Sequence, residues 1–340
     1  MLRRVQKYIR DHGLLQSGDR VLVCVSGGAD SIALWDVLRR GGYECIVAHC
    51  NFHLRGEESD RDEAYVRSVA IGNGRLAIGN RRLAMGNWRE AKGERREARG
   101  ERRETGEIFV KDFDTQGYAT ERGISIEMAA RELRYQWFAQ LAKEHNCQAI
   151  AVAHHQNDQA ETVLLNLKRG TGLRGLCGMR PKSENPMGGS IPVIRPLLCT
   201  TRDYIEHYLR DIRHIAWVND STNTDITITR NAVRAQLAHY TKAEIEHIAA
   251  TAEHVQGYVD WLEQQDTPAA GKVKLYEQLR EYHFPEVEKI YDALQKGEGG
   301  KTFYAPKHKA VIRKGKVEVT PTPNPSLKGG DEAIRRKAKG

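Results

Sequence analysis

The sequence predicts an α/β protein built on a doubly wound parallel sheet, followed by a small helical and β-containing C-terminal region. Three observations lead there. Short, valine-rich apolar runs recur through the first half of the chain, helical stretches separate them, and a glycine-rich turn joins the first run to the first of those helices. Runs that are apolar throughout, rather than alternating, are how strands covered on both faces read. Strands alternating with helices argue for a parallel sheet.

The first run, Arg20 to Val25, is followed by the turn Ser26-Gly27-Gly28-Ala29-Asp30-Ser31 and by a helix over Ser31 to Leu38 that ends at Gly41-Gly42. Cys45 to His49 reads as a second strand, and Glu57 to Ala70 as a polar helix with an acidic start. Ile108-Phe109-Val110 is a third strand. Ile124 to Glu144 is a long helix with apolar residues at helical spacing. Ala149 to Ala153 is a fourth strand, and Asp158 to Lys168 a further helix. Ligands of such sheets bind beyond the carboxyl ends of the strands. That singles out 26–31, 49–55 and 154–158.

Residues 71–106 break this order. Glycine returns every seventh position at Gly72, Gly79, Gly86, Gly93 and Gly100. A glycine every two turns costs a helix about 1 kcal/mol each relative to alanine, and no apolar seam runs through the repeat. The segment reads as a low-complexity insertion, with a basic arm for RNA phosphates as the functional alternative. Further on, Asp225 to about Glu263 is mostly helical. Short strands are expected between Lys301 and Val319, with Lys301 to Tyr304 and Ala310 to Arg313 pairing around Pro306. From Thr320 the chain is rich in proline and glycine and reads as a disordered tail.

Composition narrows the function. Among 340 residues, 53 Lys and Arg outweigh 45 Asp and Glu, a net charge of +8 that suits a polyanionic partner. The six cysteines form no CxxC pair, which argues against a zinc knuckle or a dithiol redox site. No signal peptide is visible, and no apolar run approaches the roughly 18 residues of a membrane span. A cytoplasmic protein with free thiols and no membrane association is expected.

The turn at 26–31 carries the strongest chemistry. Backbone N–H groups at the start of a helix, together with its dipole, make an anion site. Gly27 and Gly28 let phosphate oxygens approach the main chain. Ser26 and Ser31 offer hydroxyls. Bare phosphate would repel Asp30, so its expected part is to hold Mg²⁺ beside the phosphates. The spacing is neither GxxxxGK[ST] nor GxGxxG. His49 and His53 follow the second strand, where one could lie near a nucleotide. His154 and His155 are adjacent, so at most one readily faces a ligand.

These residues resemble the SGGxDS loop of the N-type ATP pyrophosphatases and, within them, the tRNA(Ile)-lysidine synthases. The match also runs through Ala48 to Ser59, Ala129 to Tyr135, Ala153 to Thr162, Lys168-Arg169-Gly170-Thr171-Gly172, Arg195 to Leu198, Trp217 to Asn223 and Arg230-Asn231. It covers roughly residues 18–70 and 108–235, with a weaker echo to about 319. The loop is specific to the superfamily only; the stretches 153–172 and 220–231 point to the narrower family. Longer family members carry a further C-terminal domain, whereas here the match stops near Val319.

The resemblance implies an adenine nucleotide alpha hydrolase-like (PP-loop) fold and a two-step ligase. ATP adenylates the C2 oxygen of the wobble cytidine in the CAU anticodon of tRNA(Ile), releasing pyrophosphate. Free L-lysine then displaces AMP to give lysidine. It also implies site residues: Asp30, Arg131 and Asp158 in catalysis, with Asp30 and Asp158 as metal ligands; Ser26, Gly27, Gly28, Ala29, Asp30, Ser31 and His49 at ATP; His155, Glu161, Lys168, Arg169, Asp220, Asn223, Arg230 and Asn231 at lysine or tRNA. Arg234 joins the polar set near them. The expected organisation is a catalytic domain over 1–215 interrupted at 71–106, a tRNA-binding region over 216–319 and the tail at 320–340, with a homodimer as the candidate assembly. The alternatives are another PP-loop tRNA-modifying enzyme, such as a thiolase, or a truncated tRNA-binding relic.

Overall fold

The computed structural model describes residues 1–71, 107–218, 229–280, 282 and 284–322; the repeat from Gly72 on and the tail from 323 lie outside the described residues. The chain opens with helix α1 (Leu2–Asp11), strand β1 (Arg20–Cys24), helix α2 (Ala29–Arg40), strand β2 (Glu44–Asn51) and helix α3 (Glu57–Ile71). Strand β3 (Ile108–Asp112), helices α4 (Thr115–Arg122) and α5 (Ile126–Glu144), strand β4 (Ala149–Ala151), helix α6 (Gln156–Lys168) and the short helix α7 (Leu173–Leu176) follow. Next come β5 (Lys182–Ser183), β6 (Val193–Ile194), a 3₁₀ turn at Pro196–Cys199, helix α8 (Arg202–His207) and a π-helical turn at Tyr208–Arg213. The rest comprises α9 (Thr229–Leu237), α10 (Lys242–Gln264), α11 (Pro268–Arg280), α12 (Val287–Gln295) and strands β7 (Thr302–Tyr304), β8 (His308–Arg313) and β9 (Lys316–Pro321).

The six-stranded sheet has the order β3-β2-β1-β4-β6-β5. β1 pairs in parallel with β2 on one side and β4 on the other, and only β5 runs antiparallel. The order therefore reverses direction at β1. That is the switch point where an open α/β sheet leaves a crevice beyond its strand ends.

β1 explains the continuous apolar run in the sequence. Val21 and Val23 face one layer, built from α1, α2 and α3, while Leu22 faces the other, where Tyr135, Phe138 and Leu141 of α5 sit. Alternate side chains of a strand point to opposite faces, and here both faces are core. α2 is apolar nearly all round because it is buried nearly all round, with Asp36 as a polar exception inside.

The sequence reading differs from the structure at several ends. The sequence reading places no element before Arg20, yet α1 sets Val5 and Ile9, four residues apart on one face, fully in the core. The long helix starts at Ile126 rather than Ile124, because Gly123 closes α4 at φ 62° and the Ser125 side chain accepts the Met128 N–H at 3.2 Å. The C-terminal hairpin forms with Phe303 opposite Ala310, and a third strand extends to Pro321, one residue past the predicted start of the tail.

The chain divides into two compact units, Met1–Thr162 with Met179–Ala249, and Val163–Gly178 with Ala250–Gly340. The sheet and α9 belong to the first, whereas the sequence set its boundary at 215. The second has its own core of Leu275, Leu279, Phe284, Ile290 and Ala310. Among the described residues no helix is long and apolar enough to cross a membrane.

Ile150 is fully buried in β4 and faces the α5 layer. Ile150→Ala should lower the unfolding free energy of the sheet unit by about 2–5 kcal/mol. Urea titration followed by tryptophan fluorescence checks this.

Candidate active site

The turn between β1 and α2 holds itself in shape. The Ser26 N–H donates to Ser31 Oγ at 3.1 Å, and the Ser31 hydroxyl donates to the Gly28 carbonyl at 2.9 Å. Ser31 is thus committed within the turn rather than free for a ligand. Gly27 adopts φ 95°, and a Cβ there would lie 3.4 Å from Val66 Cγ2 and 3.7 Å from the Asp62 carbonyl oxygen. There is room for that Cβ; it is the left-handed φ that favours glycine. Gly28 is different: it caps α2 at φ −71°, and the nearest atoms to an added Cβ would be 3.6 and 3.9 Å away.

The peptide between the two glycines is held from behind. The Val218 N–H donates to the Gly27 carbonyl at 3.0 Å. In a trans peptide the carbonyl and the following N–H point in opposite directions. The Gly28 N–H is therefore turned away from Val218, and it has no acceptor among the described residues. With the first N–H groups of α2 it forms the positive end of a buried helix.

A cavity of about 560 Å³ opens in front of this turn. Its wall carries Ser26, Gly28, Ala29 and Asp30 from the turn, and His155, Asp158 and Glu161 from the entrance and first turns of α6. His155 stands between the two carboxylates, with Nε2 3.5 Å from Asp30 Oδ2 and Nδ1 3.5 Å from Asp158 Oδ2. Burial alone would favour neutral imidazole. Asp158 first, then Asp30, outweigh it and hold the His155 pKa above its ordinary value. Burial pulls Asp158 upward, but His155, His154, the His155 N–H and Arg234 overcome this and leave its pKa lowered. That N–H donates to Asp158 Oδ2 at 3.0 Å.

Two arginines complete the wall. Arg202 Nη1 lies 3.6 Å from Asp30 Oδ2, and its main-chain N–H donates to Asn157 Oδ1 at 3.0 Å. Arg234 of α9 donates from Nε to the buried Glu161 carboxylate at 2.7 Å, with Nη2 3.9 Å from Asp158 Oδ1. Carboxylates and cations thus alternate around the cavity.

The structure gathers seven of the predicted residues on one wall: Ser26, Gly28, Ala29, Asp30, His155, Asp158 and Glu161. Gly27 and Ser31 shape the turn from behind. His49 is buried, with Nδ1 2.8 Å from the Val25 carbonyl oxygen; burial lowers its pKa, so the neutral ring can donate there. It steadies the entry to the turn and does not line the cavity. Arg131 lies over the Tyr135 ring, 5.1 Å from its centroid, and is also off the cavity wall. Lys168 and Arg169 fall in the second compact unit. Asp220 and Asn223 lie outside the described residues, as do the side chains of Arg230 and Asn231. Sequence reasoning missed Arg202, and it gave Asn157 no role although the residue falls in the singled-out stretch 154–158. Arg202 opens a six-residue helix behind a 3₁₀ turn, too short for a periodic signal.

Comparison with known proteins places the chain in a family. A model of the PP-loop domain matches residues 1–241. The chain is 40% identical, over 92% of its length, to a tRNA(Ile)-lysidine synthase of Parabacteroides distasonis, of which it spans 68%. It is 45% identical, over 69% of its length, to a tRNA(Ile)-lysidine synthase of Bacteroides thetaiotaomicron, of which it spans 46%. The fold is similar to the U34-tRNA thiolase NcsA from Methanococcus maripaludis, solved with its 4Fe-4S cluster. There the TM-score is 0.52 at 16% identity, covering 78% of this chain and 79% of that one.

The two glycines should respond differently to alanine. Gly27→Ala forces a side chain into a left-handed conformation against Val66 and should destabilise the fold by about 1–3 kcal/mol. Gly28→Ala should keep the wild-type melting temperature yet weaken pyrophosphate binding roughly tenfold or more, because its methyl group stands where an anion approaches the N–H groups. Thermal unfolding and calorimetric titration with pyrophosphate separate the two effects.

Proposed function

Because the chain belongs to the tRNA(Ile)-lysidine synthases, a family built on the PP-loop domain, we propose that it joins L-lysine to the wobble cytidine of the CAU anticodon of tRNA(Ile) at the expense of ATP. The observation that carries this reading is the cavity itself. A backbone anion site, three carboxylates and two arginines share one wall. That is the equipment for moving an adenylyl group between a triphosphate and an oxygen nucleophile.

The turn at Gly28 and the start of α2 grip the phosphates through N–H groups. These are already oriented and need no rearrangement as negative charge shifts onto the leaving pyrophosphate. Arg202 and Arg234 supply positive charge on the cavity wall. Adenylation transfers AMP to the C2 oxygen of the cytidine, breaking the α–β phosphoanhydride. In the second step the lysine amine bonds to C2, and the C2–O bond breaks to release AMP. Asp158 and Glu161 are suited to orient an ammonium or amine, since both carboxylates are held in place by His155 and Arg234.

Mg²⁺ suits this donor set. Asp30 and Asp158 present hard carboxylate oxygens, and Asp30 Oδ1 is buried without a hydrogen-bond partner among the described residues. No group of three or more His, Cys, Asp or Glu side chains there encloses a metal by itself. Phosphate and water oxygens would complete the shell, as magnesium prefers. Bound there, the ion would neutralise charge on the phosphates. No cysteine lines the cavity, so nothing on its wall favours a thiolase over a lysine ligase.

Incubation with unmodified tRNA(Ile), ATP and lysine should release AMP and pyrophosphate in equal amounts. The wobble nucleoside should gain the mass of lysine less water. Asp30→Asn should lower AMP release by roughly 10²–10³-fold while tRNA binding in a filter assay stays close to wild type. Release of AMP without lysine in the nucleoside, or equal loss of both activities in the variant, would count against the proposal.

A further inference from the structure

The Val218 N–H that orients the Gly27–Gly28 peptide belongs to a segment with an anchor of its own. Asp36, on the buried face of α2, is almost wholly inaccessible. Its carboxylate accepts Arg213 Nε at 2.9 Å and Nη2 at 3.0 Å, a two-pronged pair, and the Tyr208 hydroxyl at 2.6 Å. Arg40 in turn donates to the Tyr208 oxygen at 2.9 Å. Burial first, and then Asp36, push the Tyr208 phenol up to about 12, so it remains a donor.

Tyr208 and Arg213 are the first and last residues of the π-helical turn. In an α-helix, residues five apart point about 140° away from each other. A turn closed by i to i+5 bonds is wound more loosely and brings them closer to one face. The π turn is thus what lets both side chains reach one carboxylate. Directly after it, His214 takes a left-handed conformation at φ 53°, and the chain goes on without helix or strand to Val218. Ile215 is buried against the sheet layer, the Tyr65 hydroxyl of α3 donates to the Ala216 carbonyl, and Val218 reaches the glycine turn.

From this we propose that Asp36, Tyr208 and Arg213 are positioning residues for the nucleotide: through the 214–218 strap they set the orientation of the Gly27–Gly28 peptide and hence of the Gly28 N–H that meets the phosphate. None of the three lines the cavity. A buried charged pair is a poor source of stability against an apolar replacement. Its retention in the core beside the turn fits a role in geometry. The proposal rests on the reading of the cavity as an ATP site.

The test measures binding of a non-hydrolysable ATP analogue by calorimetry, and KM for ATP, lysine and tRNA, in the full chain carrying Tyr208→Phe, Arg213→Lys or Asp36→Asn. Each variant that folds should weaken ATP-analogue binding and raise KM for ATP by roughly tenfold, the effect of misaiming one hydrogen bond to a charged group. KM for lysine and for tRNA should stay within about twofold, the margin for sites that are not coupled. Tyr208→Phe and Arg213→Lys keep a partner at Asp36 and carry the test if Asp36→Asn does not fold. Val218→Pro removes the strap's N–H, and in that background Arg213→Lys should add no further loss of ATP affinity. Folded variants that bind the analogue like wild type, or that raise all three KM values alike, overturn the positioning role. Wild-type chain that binds no ATP analogue overturns the reading of the cavity, and the strap with it.

Discussion

One peptide group organises this site. The carbonyl of Gly27 is held by Val218, so the N–H of Gly28 must face the other way. It joins the first N–H groups of α2, which no helix can satisfy internally. These donors sit where the strand order of the sheet reverses. There the polypeptide leaves a gap rather than filling it with its own side chains. An unsatisfied cluster of donors at the edge of a packed core is costly unless water or an anion meets it. The affinity for phosphate is therefore a consequence of how β1 is made to end.

The other side of the cavity answers that positive end with a controlled excess of acid. Asp30, Asp158 and Glu161 would repel a triphosphate if left bare. They are not bare: His155 lies between the first two, Arg202 lies by Asp30, and Arg234 spans Asp158 and Glu161. Each carboxylate thus arrives with a cation attached. Under the proposed reading, a triphosphate takes over the arginines and leaves the carboxylate oxygens to magnesium or an amine. Such an exchange of partners, unlike the building of a new charge cluster, keeps the desolvation cost low.

What was legible in the sequence follows from the range over which each feature is decided. β1 and the glycine turn are fixed by adjacent residues, so Val21 to Ser31 could be read without knowing any neighbour. His155, Asp158 and Glu161 are reached through the resemblance carried by the stretch 153–172, and the structure gathers them at the entrance of one helix. Arg202 could not be read, since α8 is a six-residue helix with no period to detect, and its contact with Asp30 bridges 172 positions. The serines show the opposite error. Side by side in the motif they look equivalent, yet Ser31 spends its hydroxyl on Gly28 and only Ser26 lines the cavity. The glycines differ in the same way: Gly27 sits at a left-handed φ, whereas Gly28 has an ordinary φ and lines the cavity.

That division says where specificity can reside. A grip made of main-chain N–H groups recognises phosphate and nothing attached beyond it, so the same turn can serve different acceptors on one fold. The fold is shared with a thiolase at 16% identity, and fold alone does not choose a reaction. The choice between nucleophiles must then fall to the side chains opposite the turn, from α6, α8 and α9. Of these, Glu161 is buried and accepts the Arg234 Nε–H at 2.7 Å. A buried carboxylate that already accepts a guanidinium suits another cation of the same kind. An amino acid whose side chain ends in an ammonium group meets that requirement; a sulfur donor, neutral or anionic, does not.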